Sequence, residues 1–330
     1  MRPVATPLTR IVAGRLLGWG ALALLVSDYL QVAARTARAE KHLTFVQALN
    51  PDRMGAYLTR SAGREAWISA GELTAVHVAV VLLAAALLVP LLTSWGVARI
   101  DRLAGVALPV VLLASLVRST PADASQLSRD ELVNRILAQG HIIAGTSWVG
   151  GLLLLAVIAR SRVLDVDDRA QRWALIWQRF STVALVSVGV VLTSGLWLVW
   201  KEFGHVSQLW STTYGRFLLF KLLLVALMVG AGAFNQMWLL PRTSRGSALS
   251  HLRMVVAVEA LLGIGVIAVV PFLTGSPRSQ AGDNGTEHTA TLGILSLGLL
   301  IAAVLGLSLF TTARASAVLT RRQVSTSVVA

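Results

Sequence analysis

Residues 136–159 read ILAQGHIIAGTSWVGGLLLLAVIA, with no Asp, Glu, Lys or Arg between Arg135 and Arg160. At about 1.5 Å of rise per residue, a helix of this length covers roughly 36 Å, more than the hydrocarbon core of about 30 Å. A helix on the surface of a soluble protein keeps charge on its outer face, and this stretch has none to show. The reading that follows is a membrane-spanning helix carrying one ionisable side chain, His141.

The pattern recurs on both sides of this stretch. Apolar runs at 11–30, 67–92, 103–118, 180–200, 217–240, 254–274 and 290–312 bring the expectation to eight spans. The whole chain agrees: 330 residues, 55% hydrophobic, 14% charged, with a mean hydropathy of +0.70. A soluble domain carries about 25% charged residues. The fold class expected is therefore all-α, a polytopic membrane bundle of about eight transmembrane helices, with Pro90 and Pro109 kinking or ending theirs. A disordered chain, a collagen and a disulfide scaffold are excluded, and the absence of cysteine removes thiolate metal sites and cysteine nucleophiles. The net charge of +13 rests on 26 Arg and 3 Lys. These stand between apolar runs, so they read as topology signals and contacts to anionic lipid, not as a nucleic-acid surface.

Residues 1–330 read as a single membrane domain without a soluble appendage. The first span is expected to be retained: the small-x-small triplet Ala37-Arg38-Ala39 lies about ten residues past the apolar run, and Asp28 interrupts the approach. The extracytoplasmic loop 31–66 is long for a bare connection, and Phe45, Val46, Leu49, Met54, Tyr57 and Leu58 predict a short interfacial helix within it. Alternate connections carry 16 and 12 basic residues, and half of the 12 sit in that one loop. The positive-inside rule then places both termini in the cytoplasm. Thr59-Arg60-Ser61-Ala62-Gly63-Arg64 before the second span is echoed by Ser211-Thr212-Thr213-Tyr214-Gly215-Arg216 before the sixth, as two parallel four-helix halves would require.

Ionisable groups are costly in hydrocarbon, so those that interrupt the spans are the candidate functional residues. His141 shares a helix face with Trp148, and Gly145, Gly150 and Gly151 allow close helix approach. His77 falls near the midplane of the second span, with Glu72 about 140° round the helix. Imidazole suits copper, iron or zinc, which makes His141 and His77 the candidate metal ligands. Lys221, Asn235 and Glu259 lie in the sixth and seventh spans, and Asp28 closes the first. Each has a bland alternative: a histidine bonded across helices, a lysine snorkelling outward, an aspartate solvated at the boundary. Trp67, Trp197, Trp200, Trp210 and Trp238 fit an interfacial belt. Most of these polar positions fall in the outer third, as an outward-opening site requires, but no two histidines have a short ligand spacing.

The order of motifs resembles the copper resistance protein D (CopD-like) integral membrane family. The stretch from His141 to Gly151 resembles its H-x(6)-W-V-G-G helix. It is followed by Arg179-Phe180-Ser181, Thr193-Ser194-Gly195, Tyr214-Gly215-Arg216, Leu218-Leu219-Phe220-Lys221, Asn235 with Leu239-Leu240-Pro241, and Arg253 with Glu259. That order covers a CopD-like core at 136–274. The resemblance implies a bacterial-type inner-membrane protein for copper transport or copper resistance. It also implies a periplasmic CopC-type copper-binding partner and functional roles for His141, Lys221 and Glu259. The chain departs from a copper-rich composition, with no Cys, five Met and no His-rich tail.

Three functions follow. The first is copper handling, with copper entering from the extracytoplasmic side near His141 and His77, helped by Asp28 and Glu72. The second is a redox protein holding haem or quinone on helix-borne histidines. The third is an accessory subunit of an envelope membrane complex. An enzyme is not expected, because nucleophile elbow, phosphate-loop and HExxH motifs are all missing.

Overall fold

The computed structural model describes residues 7–40, 43–60, 68–119, 128–160, 169–202, 207–234 and 247–275. Among these the regular elements are all helical. In chain order they are α1 (Pro7–Ala39), α2 (Phe45–Ala48), α3 (Pro51–Leu58), α4 (Ala70–Leu88), a 3₁₀ turn (Val89–Leu92), α5 (Ser94–Ala98) and α6 (Ile100–Ser119). After these come α7 (Arg129–Arg160), α8 (Arg169–Glu202), α9 (Gln208–Ser211), α10 (Thr213–Phe234) and α11 (Ser247–Gly275). The all-α membrane class stands. Six helical segments among the described residues are long and apolar enough to cross a membrane, and α11 carries a shorter apolar run, Met254–Val270. The eighth expected span, 290–312, lies outside the described residues.

Local chemistry sets the helix ends. Pro51 opens α3 behind an Asn50 cap, where a missing N–H costs nothing. Ser69 and Glu72 close a reciprocal capping box at the start of α4. Pro90 converts the end of the second span into a 3₁₀ turn, and Thr93 then caps α5. Pro109 lies inside α6, which continues past it. The loop expected at 31–66 differs in detail. α1 runs on through Arg35 and Arg38 to Ala39, and two short helices, α2 and α3, follow.

The helices divide into two compact units, residues 5–135 and residues 1–4 with 136–330. In the first, α1 packs on α4 and α4 on α6. Its core includes Ala21, Leu88, Leu91, Ile100 and Ala107, and a second cluster of Val32, Ala33 and Met54 lies beneath α3. In the second unit α10 packs on α11, with Leu218, Val269 and Leu273 buried between them. Glycines bring α7 and α8 together. A Cβ on Gly151 would lie 2.3 Å from the Phe180 ring, and one on Gly145 would lie 3.9 Å from Val191. Gly150 faces open space, and Trp148 is buried. Leu82, Leu83, Leu108, Leu222, Leu223 and Leu261 are all at least 45% exposed, as lipid-facing side chains of membrane helices are.

Candidate functional site

In the second unit, α7 carries His141 opposite α8. His141 Nδ1 lies 3.0 Å from Ser194 Oγ, and Ser194 is almost fully buried. The Ser194 hydroxyl donates its single hydrogen to the Val190 carbonyl one turn back. With that hydrogen committed, its oxygen accepts from His141 Nδ1–H, and the Val191 backbone also hydrogen-bonds the ring. In the neutral ring Nε2 keeps the lone pair. Gly195 makes room for this: a Cβ there would stand 3.2 Å from His141 Cε1. Lys221 on α10 is close enough for its charge to act on the imidazole, and it forms no ion pair among the described residues. One turn beyond Ser194, the buried Trp197 finds no acceptor for its indole N–H among the described residues.

A donor lies further along the same unit. Met228, seven residues after Lys221 and so on the same face of α10, is 1% exposed. A Cβ on Gly263 would lie 3.4 Å from Met228 Cε and 3.0 Å from Val149 Cγ1. Glu259 is one turn before Gly263 on α11 and is 3% exposed. Asn235 lies outside the described residues.

In the first unit His77 has both ring nitrogens engaged: Nε2 lies 3.1 Å from Asp28 Oδ1 and Nδ1 3.0 Å from the Ala114 carbonyl. Neither nitrogen keeps a free lone pair for a metal in this arrangement. Glu72 is exposed at the start of α4, where its carboxylate accepts the Ser69 N–H at 2.8 Å. Among the described residues no three His, Cys, Asp or Glu cluster as metal ligands do.

Ser194, Gly195, Trp197 and Met228 escaped the list of candidates drawn from the sequence. Hydroxyl, glycine, indole and thioether do not interrupt an apolar run as an ionisable group does. Glu72 did carry a readable signal, the S-x-x-E capping box immediately before an apolar run.

Comparison with known proteins agrees with the motif order. The family model described as Copper resistance protein D matches residues 174–273, which include Ser194, Trp197, Lys221, Met228 and Glu259. Copper transport protein CutJ of Bacillus subtilis (strain 168) is 32% identical over 137 residues, 42% of this chain and 24% of that protein. Copper resistance protein D of Pseudomonas syringae pv. tomato is 28% identical over 154 residues, 43% of this chain and 49% of that protein. The matches thus span about a quarter and about half of these relatives' lengths. No solved structure matches. Residues 174–273 are thus similar to the family described as Copper resistance protein D.

Proposed function

We propose that this chain handles copper within the membrane, that copper reaches it from the extracytoplasmic side, and that His141 Nε2 is the first intramembrane donor. The observation that carries the reading is the His141–Ser194 hydrogen bond. It holds the ring in one tautomer and leaves the other nitrogen available, the orientation that ligating histidines take from a hydrogen-bond partner. The surroundings fit copper better than a hard cation. Donors along the second unit are an imidazole and a buried thioether, Met228, and soft donors select Cu(I). Glu259 provides a carboxylate further along, toward the cytoplasmic end on the proposed topology. Copper would pass from His141 toward Met228 and Glu259, and a periplasmic donor of the CopC type would deliver it at the outer face. The printed names of the two relatives, copper transport and copper resistance, support the cargo.

Lys221 sets a limit on the ion's charge. A positive charge on Lys221 that acts on the imidazole opposes a bare cation there, and more strongly a doubly charged one. The site therefore favours Cu(I) or copper carried with an anionic ligand. The test is copper binding by the purified full chain together with copper accumulation in cells expressing it. His141→Ala is expected to lose both, whereas His77→Gln keeps Cu(I) binding at the second unit. Unchanged binding and accumulation in His141→Ala would overturn the reading.

A further inference from the structure

Asp28 on α1 and His77 on α4 form a pair that the copper reading does not use. Their side chains are 9% and 12% exposed, and each lies within a segment long and apolar enough to span the membrane. The Ala114 carbonyl of α6 can only accept, so His77 Nδ1 carries a hydrogen. At 3.1 Å, Asp28 Oδ1 facing a bare Nε2 would set lone pair against lone pair. A second hydrogen must lie between them. Whether it is written on the ring or on the carboxyl, the pair is then neutral as a whole. Neutrality is what a membrane interior favours, because an isolated ion there is strongly penalised.

We propose that Asp28–His77 is a proton-binding site of the first unit, loaded from the side on which α2 and α3 lie. The surroundings supply the direction. On that side Thr74, one turn from His77, accepts from Arg35 Nη1 at 3.0 Å and faces the Tyr57 hydroxyl at 3.5 Å. Asp28 and Arg35 are seven apart on α1 and share a face. These polar groups line the way from the α3 side to the pair. On the other side the interface closes with Ala21, Leu88, Leu91, Ile100 and Ala107, none of which offers a side-chain hydrogen bond. Besides the pair, the charged and titratable residues on the elements packed here are Arg10, Arg15, Tyr29, Arg35 and Arg38 on α1, Asp52, Arg53 and Tyr57 on α3, Glu72 on α4, and Asp101, Arg102 and Arg118 on α6; Tyr29 donates to the Leu49 carbonyl and Glu72 is held by Ser69. α6 contributes the Ala114 carbonyl, and the sequences of α2, α5 and the 3₁₀ turn bring no titratable group.

Loading is a simple transfer. A hydronium ion gives one proton to the pair and leaves as water, forming one N–H or O–H bond and closing the contact between α1 and α4. Release reverses it and leaves two acceptors face to face, so the α1–α4 contact opens. Proton occupancy is thereby tied to the packing of two spanning helices.

The test uses the full chain in lipid nanodiscs with ¹⁵N-labelled histidine and no metal added. Release of the one proton the pair shares, driven by raising the pH, should change the His77 Nε2 signal and a carboxyl infrared band together. Asp28→Asn keeps the shape of the side chain and is expected to abolish the joint change. His77→Gln should remove the nitrogen signal and shift the carboxyl band. A His77 signal that ignores the rise in pH, or that is the same in Asp28→Asn as in the unaltered chain, would overturn the proposal. Since copper is absent throughout, the result stands apart from the fate of the copper reading.

Discussion

At the scale of single residues, Ser194 makes His141 more than a histidine in lipid. Ser194→Ala would remove the side-chain acceptor of His141 Nδ1–H, leaving the Val191 backbone as the ring's remaining partner, at a cost of about 0.5–1.5 kcal/mol for the lost hydrogen bond. If His141 ligates copper, loss of this partner should weaken Cu(I) affinity by about 10–100-fold while folding persists. Competition against a colorimetric Cu(I) chelator measures it, and an unchanged affinity would detach Ser194 from the site. Gly195→Ala asks the same question sterically. Its Cβ would stand 3.2 Å from His141 Cε1, so the ring has to yield by a few tenths of an ångström. A weaker copper affinity is expected, with a smaller loss than Ser194→Ala causes. Both residues stood out in the sequence only within the motif Thr193-Ser194-Gly195, and their place beside His141 was not legible there, for a plain reason. The fifty-three positions between His141 and Ser194 are bridged by the register of α7 against α8, which depends on which glycines and valines meet. The same holds for Asp28 and His77. Each could be picked out as an ion in lipid, but only the α1–α4 register reveals that the two are partners.

At the scale of elements, the spans were legible because a charge-free run of twenty residues has few other uses. Their ends were not. α1 was expected to stop near residue 30, yet it continues to Ala39, because Arg35 finds an acceptor in Thr74 and remains in the helix. The echo noticed before the second and sixth spans has a counterpart at the helix starts. Gly71 of α4 lies against the Tyr57 carbonyl at the end of α3, and Gly215 of α10 lies against the carbonyls of Gln208 and Leu209 in α9. In each case a Cβ would come within 2.2 Å of a carbonyl oxygen, and a hydroxyl, Ser69 or Thr212, caps the turn. A short helix thus presses its backbone onto the capped start of a spanning one. Gly215→Ala is therefore expected to cost about 1–3 kcal/mol, as overpacking against a backbone that cannot move aside does. Gly150→Ala is the control: its Cβ meets open space, and it should gain about 0.5–1 kcal/mol from helix propensity. Thermal unfolding in detergent compares the two. Equal midpoints would show that the close approach at Gly215 does not restrain the helix.

At the scale of the whole molecule, an outward-opening His141 site presupposes which way the chain faces. Charge makes the prediction. The short connections holding Arg99 and Arg102 and the dense run around 160–179 are basic, as connections retained in the cytoplasm are. The Arg99 guanidinium lies 4.4 Å from the centre of the Trp95 ring beside one of them, a cation paired with the kind of aromatic that settles at the headgroup level. The absence of cysteine gives the test a clean background. Ser94→Cys stands at the first residue of α5 and Ser207→Cys just before α9, at positions that are both exposed. A membrane-impermeant maleimide applied to intact spheroplasts is expected to label Ser207→Cys and to reach Ser94→Cys only after lysis. The opposite pattern would put His141 near the cytoplasmic face, and inward delivery of copper from a periplasmic donor would then have no site to receive it. Labelling of both before lysis would mean that the segments between them do not cross as an odd number of spans, and the assignment of α6, α7 and α8 as three crossings would have to change.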